Sequence, residues 1–192
     1  MGTLRALLIQ RAARLQDRPA LTAADWGVLS WPAFRNRVEG IGLGLMAGAP
    51  ALGTAVHSRT GGPWDWAAEV ACACCGLVWD PAGIPVDPAV LGGPAFNSED
   101  GRQGYHDRDH GLADDTPFLP GVDHAELERR LRRLNGKLGW DHETEVILPL
   151  ADLATPEVRG ALWSALFAGG HAVLRPGTVR GWDPERFRHL LP

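Results

Sequence analysis

Apolar residues follow two different spacings along the chain, and both occur in residues 144–175. Two short apolar runs flank a segment in which apolar residues return every three or four positions, the spacing of one helix face. Thr155 is a suitable N-cap, Pro156 suits the first helical position, and Gly169-Gly170 suits a left-handed helix end. The stretch therefore predicts a strand, a helix and a second strand that is parallel to the first.

The first half of the chain predicts a second unit of this kind. Residues 54–57 form a short strand pattern and residues 60–63 a turn. A helix with an apolar stripe from Trp66 to Leu77 follows, and Val78-Trp79 begins a new strand. Two strand, helix, strand units favour an α/β fold with a mainly parallel sheet flanked by helices.

Three elements are predicted before this unit. They are a helix over residues 4–15, a hairpin around residues 25–27, and a second helix that Ser30 caps. Three glycines weaken the second helix, each by about 1 kcal/mol relative to alanine. They are Gly40, Gly42 and Gly44. We expect another backbone to pack closely against that helix.

Residues 81–120 differ in character from the rest of the chain. They are rich in glycine and proline, have few apolar clusters, and include a polar run at residues 97–100. The composition predicts a long irregular excursion that is partly mobile. Asp123 and Glu126 then begin a fourth, leucine-striped helix, and Asp183 begins a last short one. We interpret residues 1–192 as one domain.

Composition excludes several function classes. A formal charge of -4 and an isoelectric point near 5.9 give no bulk attraction to nucleic acid. Arginines interrupt the apolar pattern of residues 1–15, which does not resemble a signal peptide, and no stretch approaches the roughly 18 apolar residues of a membrane span. We therefore expect a cytoplasmic protein. Cys72, Cys74 and Cys75 crowd one predicted helix, which favours buried, reduced thiols.

Five segments carry a resemblance to a known family. They are residues 13–45, 62–81, 147–150, 166–174 and 182–185. In this order they resemble the N-terminal region of the adenylate-forming superfamily, which includes acyl-CoA synthetases and nonribosomal-peptide adenylation domains. The resemblance implies the fold of one N-terminal subdomain of an acyl-CoA synthetase.

The phosphate-binding motif of that superfamily has no counterpart here. Asp114-Asp115 resembles the pair before the phosphate loop, and residues 124–127 resemble the helix start after it. Between them stand eight residues, with two prolines, one glycine and no lysine. A phosphate cradle needs consecutive small residues with free N–H groups and usually a cation. Carboxylates at Asp123 and Glu126 also disfavour an anion at this helix terminus.

The resemblance further implies that the ribose-binding aspartate and the C-terminal lid with its catalytic lysine lie beyond this sequence. Lys137, the only lysine, matches neither. We therefore expect a truncated, catalytically incomplete relative without adenylation activity. No residue is assigned as catalytic, cofactor-binding or metal-ligating, and no cofactor is expected.

Other candidate sites have simpler interpretations. Residues 106–110 contain four possible metal ligands but lack a second cluster, so a solvated polar loop is favoured over a metal site. His124 and His171 invite a catalytic role, yet no nucleophile is predicted beside either. Four arginines of the fourth helix favour a solvated face over phosphate contacts. They are Arg129, Arg130, Arg132 and Arg133.

These observations leave two kinds of function open. The first is an interaction protein, because a lone subdomain leaves an apolar face that a homodimer or a partner protein would cover. The second is a nucleotide- or acyl-CoA-binding protein or enzyme that reuses the crevice at the carboxyl ends of the strands. A related alternative is one half of a split acyl-CoA synthetase.

Overall fold

The computed structural model of the protein describes residues 3–93 and 99–192. Asn97 and Ser98, from the predicted polar run, lie outside the described residues. The helices are α1 (Leu4–Leu15), α2 (Trp31–Met46), α3 (Pro63–Cys75), α4 (Pro88–Leu91), α5 (Glu99–Asp109), α6 (His124–Leu138) and α7 (Pro156–Ala168). The strands are β1 (Pro19–Ala23), β2 (Gly27–Ser30), β3 (Ala55–His57), β4 (Val78–Trp79), β5 (Ile84–Pro85), β6 (Pro117–Leu119), β7 (Val122–Asp123), β8 (Glu145–Pro149) and β9 (His171–Arg175).

The unit predicted over residues 144–175 is confirmed as β8, α7 and β9. The two strands are parallel, with Glu145 opposite His171 at one end of the register. The hydroxyl of Thr155 accepts from the N–H of Val158, and Gly169 closes α7 with a φ of 83°. Because both ends of the helix are fixed by local sequence, this unit is readable from sequence alone.

The second predicted unit, β3, α3 and β4, is also parallel but belongs to a different sheet. One sheet has the order β2-β1-β9-β8 and the other the order β4-β3-β5. The predicted hairpin around residues 25–27 is the antiparallel pair β1 and β2. On its other side β1 pairs in parallel with β9, so Leu21 lies opposite Ala172. The fold is thus α/β with mostly parallel strands in two sheets, and β6 and β7 form a third, two-stranded antiparallel sheet.

Large aromatic side chains fill the core between the helices. Trp31 and Trp163 are fully buried, and the rings of Trp66 and Trp163 meet edge to face with centroids 5.0 Å apart, which joins α3 to α7. The close backbone approach expected at the α2 glycines is found at Gly44. A Cβ atom on Gly44 would lie 2.4 Å from the carbonyl oxygen of Leu91.

The sequence predicts an irregular excursion over residues 81–120, but the described part of this segment contains β5, α4, α5 and β6, joined by irregular stretches. Tyr105 is the one large apolar side chain of α5, and it is 6% exposed. The guanidinium of Arg5 lies 3.9 Å above the Tyr105 ring and donates to its backbone carbonyl at 2.7 Å. A helix anchored through a single aromatic residue shows no apolar period, which is why the pattern concealed it.

In the part of the chain that the structure describes, every helix is too short or too polar to cross a bilayer.

Candidate functional site

The segment predicted to replace the phosphate loop is a tight hairpin, β6 and β7, that runs directly into α6. Its turn contains Gly121 with a φ of 72°. The first amides of α6 are already occupied. His124 N–H donates to the Thr116 carbonyl at 3.1 Å, and Ala125 N–H donates to the Asp114 carbonyl at 2.8 Å. Because these donors are satisfied within the chain, they are not free to hold a phosphate.

The side chains around this hairpin point to packing rather than anion binding. Phe118 and Leu119 are buried. Asp123 caps α6 by accepting from the Glu126 N–H at 2.7 Å. The Glu126 carboxylate pairs with Arg130 and Arg129, which lowers its pKa and keeps it charged. The helix terminus therefore carries two carboxylates where a phosphate would need positive potential.

His124 lies inside the molecule. Its Nδ1 accepts from the Leu4 N–H at 3.3 Å, and its side chain packs edge to face with Phe118. Burial lowers the pKa of His124 to about 4, so the imidazole is neutral near pH 7. Its Nε2 has no hydrogen-bond partner among the described residues. No hydroxyl or thiol is bonded to it there, so the catalytic interpretation gains no support.

His171 is part of a three-residue network across the four-stranded sheet. Its Nε2 lies 2.8 Å from the hydroxyl of Thr22 on β1, and its Nδ1 lies 3.0 Å from the carboxylate of Glu145 on β8. Because the carboxylate only accepts, Nδ1 carries the proton and Nε2 accepts from Thr22. Nucleophile, base and acid are thus in the order of a catalytic triad.

That order alone does not make a hydrolytic site. Thr22 lies on β1, which is paired with β2 on one side and β9 on the other, so its neighbouring amides serve the sheet. An acyl-transfer site also needs donors for the oxyanion and a cleft for the substrate. The crevices described below include neither Thr22 nor His171. We interpret the network as a polar link between three strands.

A crevice of about 100 Å³ lies where three strands end. His57 closes β3, Pro81 follows β4, and Leu153 follows the 3₁₀ turn after β8. Trp66 and Trp79 form apolar walls. Ligands of open parallel sheets bind at the carboxyl ends of strands, which makes this crevice the candidate site.

One wall of the crevice contains a buried ion pair. Glu69 is 1% exposed and accepts from Arg159 through both carboxylate oxygens, at 2.6 and 2.8 Å. The indole N–H of Trp163 donates to the same carboxylate at 2.7 Å. Burial alone would lower the pKa of Arg159, but the charge of Glu69 and the hydrogen bonds to it raise the pKa overall. Arg159 therefore stays charged and is held in one orientation.

The second carboxylate of the crevice accepts hydrogen bonds within a turn. Asp65 accepts from the hydroxyl of Ser58 at 2.5 Å, from the N–H and hydroxyl of Thr60, and from the N–H of Gly61. With both carboxylates committed, the groups left to meet a ligand are cationic or basic. They are the remaining N–H groups of Arg159, the guanidinium of Arg59 and Nε2 of His57, whose Nδ1 donates to the Gly83 carbonyl at 2.9 Å.

The sequence predicts a crevice at the carboxyl ends of the strands, but none of its charged lining residues was identified, although a signal was present. Glu69 is the one charged residue in the otherwise apolar run of residues 66–75. A carboxylate at a core position requires a buried partner. Arg159, the partner, lies 90 residues away in the sequence, so no local pattern connects the two.

The structure places the remaining predicted candidates as follows. All three cysteines are buried, and burial raises the pKa of each thiol, to about 12 for Cys75. Residues 106–109 lie on α5 rather than in a loop. Over residues 3–93 and 99–192, no three histidine, cysteine or acidic side chains gather closely enough to hold a metal ion. On α6, Arg132 pairs with Glu128 at 2.6 Å.

No protein-family model matches the chain, and a search of curated proteins found no match. Solved structures do match. The adenylation-PCP fusion NpsA-ThdA from Klebsiella oxytoca is 16% identical with a TM-score of 0.62, over 93% of this chain and 40% of that one. The N-terminal subdomain of NpsA from the same organism, in complex with anthranilyl-AMSN, is 16% identical with a TM-score of 0.62, over 93% and 54%.

A third match is a protein described as a long-chain-fatty-acid CoA ligase from Rhodopseudomonas palustris. It is 19% identical with a TM-score of 0.60, over 90% of this chain and 57% of that one. The chain thus spans between 40% and 57% of the length of these three structures. Identity at this level establishes the fold alone. The chain has the fold of part of the N-terminal subdomain of adenylate-forming enzymes, since it covers 54% of the NpsA subdomain.

Proposed function

We propose that this protein is a catalytically incomplete relative of adenylate-forming enzymes that acts by binding and does not form adenylates. The hairpin of β6 and β7 carries the proposal. In it, a two-residue turn joins the strands, and the first amides of α6 are occupied by the Thr116 and Asp114 carbonyls and by Asp123. Adenylation requires a cradle that holds the ATP phosphates, and the first amides of α6 are not free to form one.

Thermal unfolding with and without millimolar Mg-ATP tests the proposal without knowledge of any acid substrate. A ligand at a hundred times its dissociation constant stabilises by about 2.7 kcal/mol, which raises the midpoint of a domain of this size by roughly 5–10 °C. We expect no shift beyond that given by pyrophosphate or sulfate at matched ionic strength. A shift with ATP that those anions do not reproduce would contradict the proposal.

Such a binding protein would bind either a second copy of itself or a different protein. Static light scattering at increasing concentration tests whether it forms a homodimer. A mass that rises to twice 20.7 kDa supports the dimer. A constant monomer mass leaves a different protein as the partner. Adenylation that appears only on mixing with a second polypeptide would instead favour one half of a split acyl-CoA synthetase.

A second candidate function is small-ligand binding in the crevice, and the orientation of Arg159 favours it. The crevice holds about 100 Å³, far below the roughly 300–1,000 Å³ of sites that enclose a whole drug-sized molecule. It is too small for a nucleotide or an acyl-CoA and fits one small anionic group. The indole NMR signals of Trp66 and Trp79 should shift with acetate or phosphate, and Arg59→Gln should weaken the effect while Arg180→Gln does not. Unmoved indole signals would remove this candidate.

A further inference from the structure

A second concave surface lies away from the crevice, between α1 and α6. This α1–α6 groove has a volume of about 420 Å³. The end of α7 forms part of it through Phe167. Its lining residues are Thr3, Leu4, Ala6, Leu7, Gln10, Arg11, Glu128, Arg132 and Phe167.

The floor of the groove is apolar and its sides are open. Leu4 is buried, and Leu7 and Phe167 are partly buried with one side facing the groove. Ala6 and Gln10 on its flank are exposed. A small molecule needs a site that encloses most of its surface, and this groove does not enclose one. An open channel between two helices instead suits the apolar face of a third helix.

Two positive charges on α1, those of Arg11 and Arg14, lack an acidic partner among the described residues, whereas Arg5 pairs with Asp109. Arg11 and Arg14 follow Leu4 and Leu7 at helical spacing, so they extend the same stripe. Among the described residues neither arginine forms an ion pair. The pKa of Arg11 is lowered, first by burial and then by the charge of Arg14, so the two cations repel each other.

The polar contacts of Arg11 are also incomplete. Its Nη2 donates to the backbone carbonyl of Phe167, whereas its Nε is buried without a partner in the part of the chain that the structure describes. On the opposite side of the groove, Glu128 is committed to Arg132 at 2.6 Å. The groove thus presents an apolar floor with one uncompensated cation, Arg11, on its side, and Arg14 lies one helical turn beyond it.

We propose that the α1–α6 groove binds an acidic amphipathic helix of a partner protein, with its apolar residues on Leu7 and Phe167 and its carboxylates beside Arg11 and Arg14. This inference rests on the proposed function, because it names the kind of partner that a binding protein with this fold would take. Charge complementarity decides the sign of the partner, since a carboxylate would relieve the repulsion between the two arginines. The apolar floor distinguishes the groove from a nucleic-acid surface, where phosphate contacts dominate.

A pair of synthetic peptides tests the proposal on the full chain. Each has about 18 residues, enough to form a helix, with leucines at helical spacing. One has glutamates beside the leucines and its twin has lysines there. Fluorescence anisotropy should show the glutamate peptide binding at least about tenfold more tightly than the lysine twin, with weaker binding as salt is raised. Equal binding of the twins, or no binding by either, would overturn the proposal.

Variants then locate the binding. Arg14 is exposed, so Arg14→Glu should leave the thermal midpoint unchanged and weaken the glutamate peptide about tenfold or more. Arg180→Glu makes the same charge change on another surface and should leave peptide affinity within about twofold once salt is matched. If both reversals act equally, the peptide is responding to net charge and the groove is not its site.

This outcome is separable from that of the proposed function. The proposed function fails if Mg-ATP stabilises the chain more than pyrophosphate or sulfate does. The groove inference fails if the glutamate peptide does not depend on Arg14. Either result can occur without the other, because the two measurements use different ligands on different surfaces.

Discussion

The guanidinium of Arg159 and the carboxylate of Glu69 form a two-point ion pair that joins α7 to α3 across 90 residues of sequence. The side chain of Glu69 is 2% exposed and that of Arg159 is 12% exposed. The attraction within a buried ion pair offsets the free-energy cost of desolvation only if the charged groups are also fully hydrogen-bonded. In this pair the indole N–H of Trp163 donates an additional hydrogen bond to the carboxylate of Glu69.

Removing one member of this pair should be costly. Glu69→Gln leaves the guanidinium of Arg159 buried without a counter-charge, and we expect a loss of about 3–5 kcal/mol in the free energy of unfolding by urea. Glu185→Gln, which removes an exposed carboxylate paired with Arg188, should cost less than about 1 kcal/mol. Replacing both Glu69 and Arg159 by leucine and methionine should recover most of the loss. A Glu69→Gln protein as stable as the wild type would refute this account of the pair.

The glycines of α2 give a matched comparison within one helix. Gly44→Ala would place a Cβ 2.4 Å from the Leu91 carbonyl oxygen, so the helix must move from α4, and we expect a loss of about 1–3 kcal/mol. At Gly40 the nearest atom would lie 3.8 Å away. Gly40→Ala should therefore be neutral or add up to about 1 kcal/mol through helix propensity. Urea unfolding measures the change in the free energy of unfolding for each variant. A Gly44→Ala protein that is more stable than the wild type would contradict the close contact between α2 and α4.

His124 should make stability depend on acidity. Its folded pKa is about 4, below the ordinary value of 6.5, so the folded state resists a proton that the unfolded state accepts. The contribution is complete above about pH 6.5 and is lost as pH falls towards 4, by at most about 3 kcal/mol. His124→Gln, whose amide oxygen can still accept from Leu4, should flatten that part of the curve. His189→Gln, a change at an exposed position, should leave the curve unaltered, and equal slopes in the wild type and His124→Gln would argue against a neutral buried imidazole.

The three cysteine thiols should not react with thiol reagents in the folded protein. Each thiol is fully buried and has a raised pKa, and only thiolates attack aromatic disulfide reagents at useful rates. We expect no release of chromophore from the native protein at pH 8 and three equivalents in denaturant. Prompt reaction of the native protein would mean that α3 opens readily. The thiols of the destabilised Glu69→Gln protein should react faster than those of the wild type, because the local unfolding that exposes α3 costs less free energy.

Local sequence identified most of the elements and their ends. Ser30, Asp123 and Thr155 cap helices through their side chains as predicted, and Gly76 and Gly169 end α3 and α7 with left-handed dihedrals. These features depend on residues within one helical turn, and both strand, helix, strand units follow from them.

Features that depend on residues distant in the sequence could not be predicted from local patterns. Nothing local in β1 indicates that it pairs with β9 rather than with β3, because a short strand is compatible with many neighbours. Helix α5 was missed because its packing depends on Tyr105 and on the distant Arg5. The residues that line the crevice were not identified for a related reason, since they come together only where the ends of β3, β4 and β8 meet.

The parallel pairing of β1 with β9 also bears on how the chain is made. Leu21 must wait for Ala172 to leave the ribosome, a delay of roughly 8–30 s at about 5–20 residues per second. During that time one edge of the N-terminal hairpin has no strand beside it, and such an edge can pair with another nascent chain. We therefore expect the yield of this protein in cells to depend more on protection of this edge during synthesis than on the stability of the folded protein.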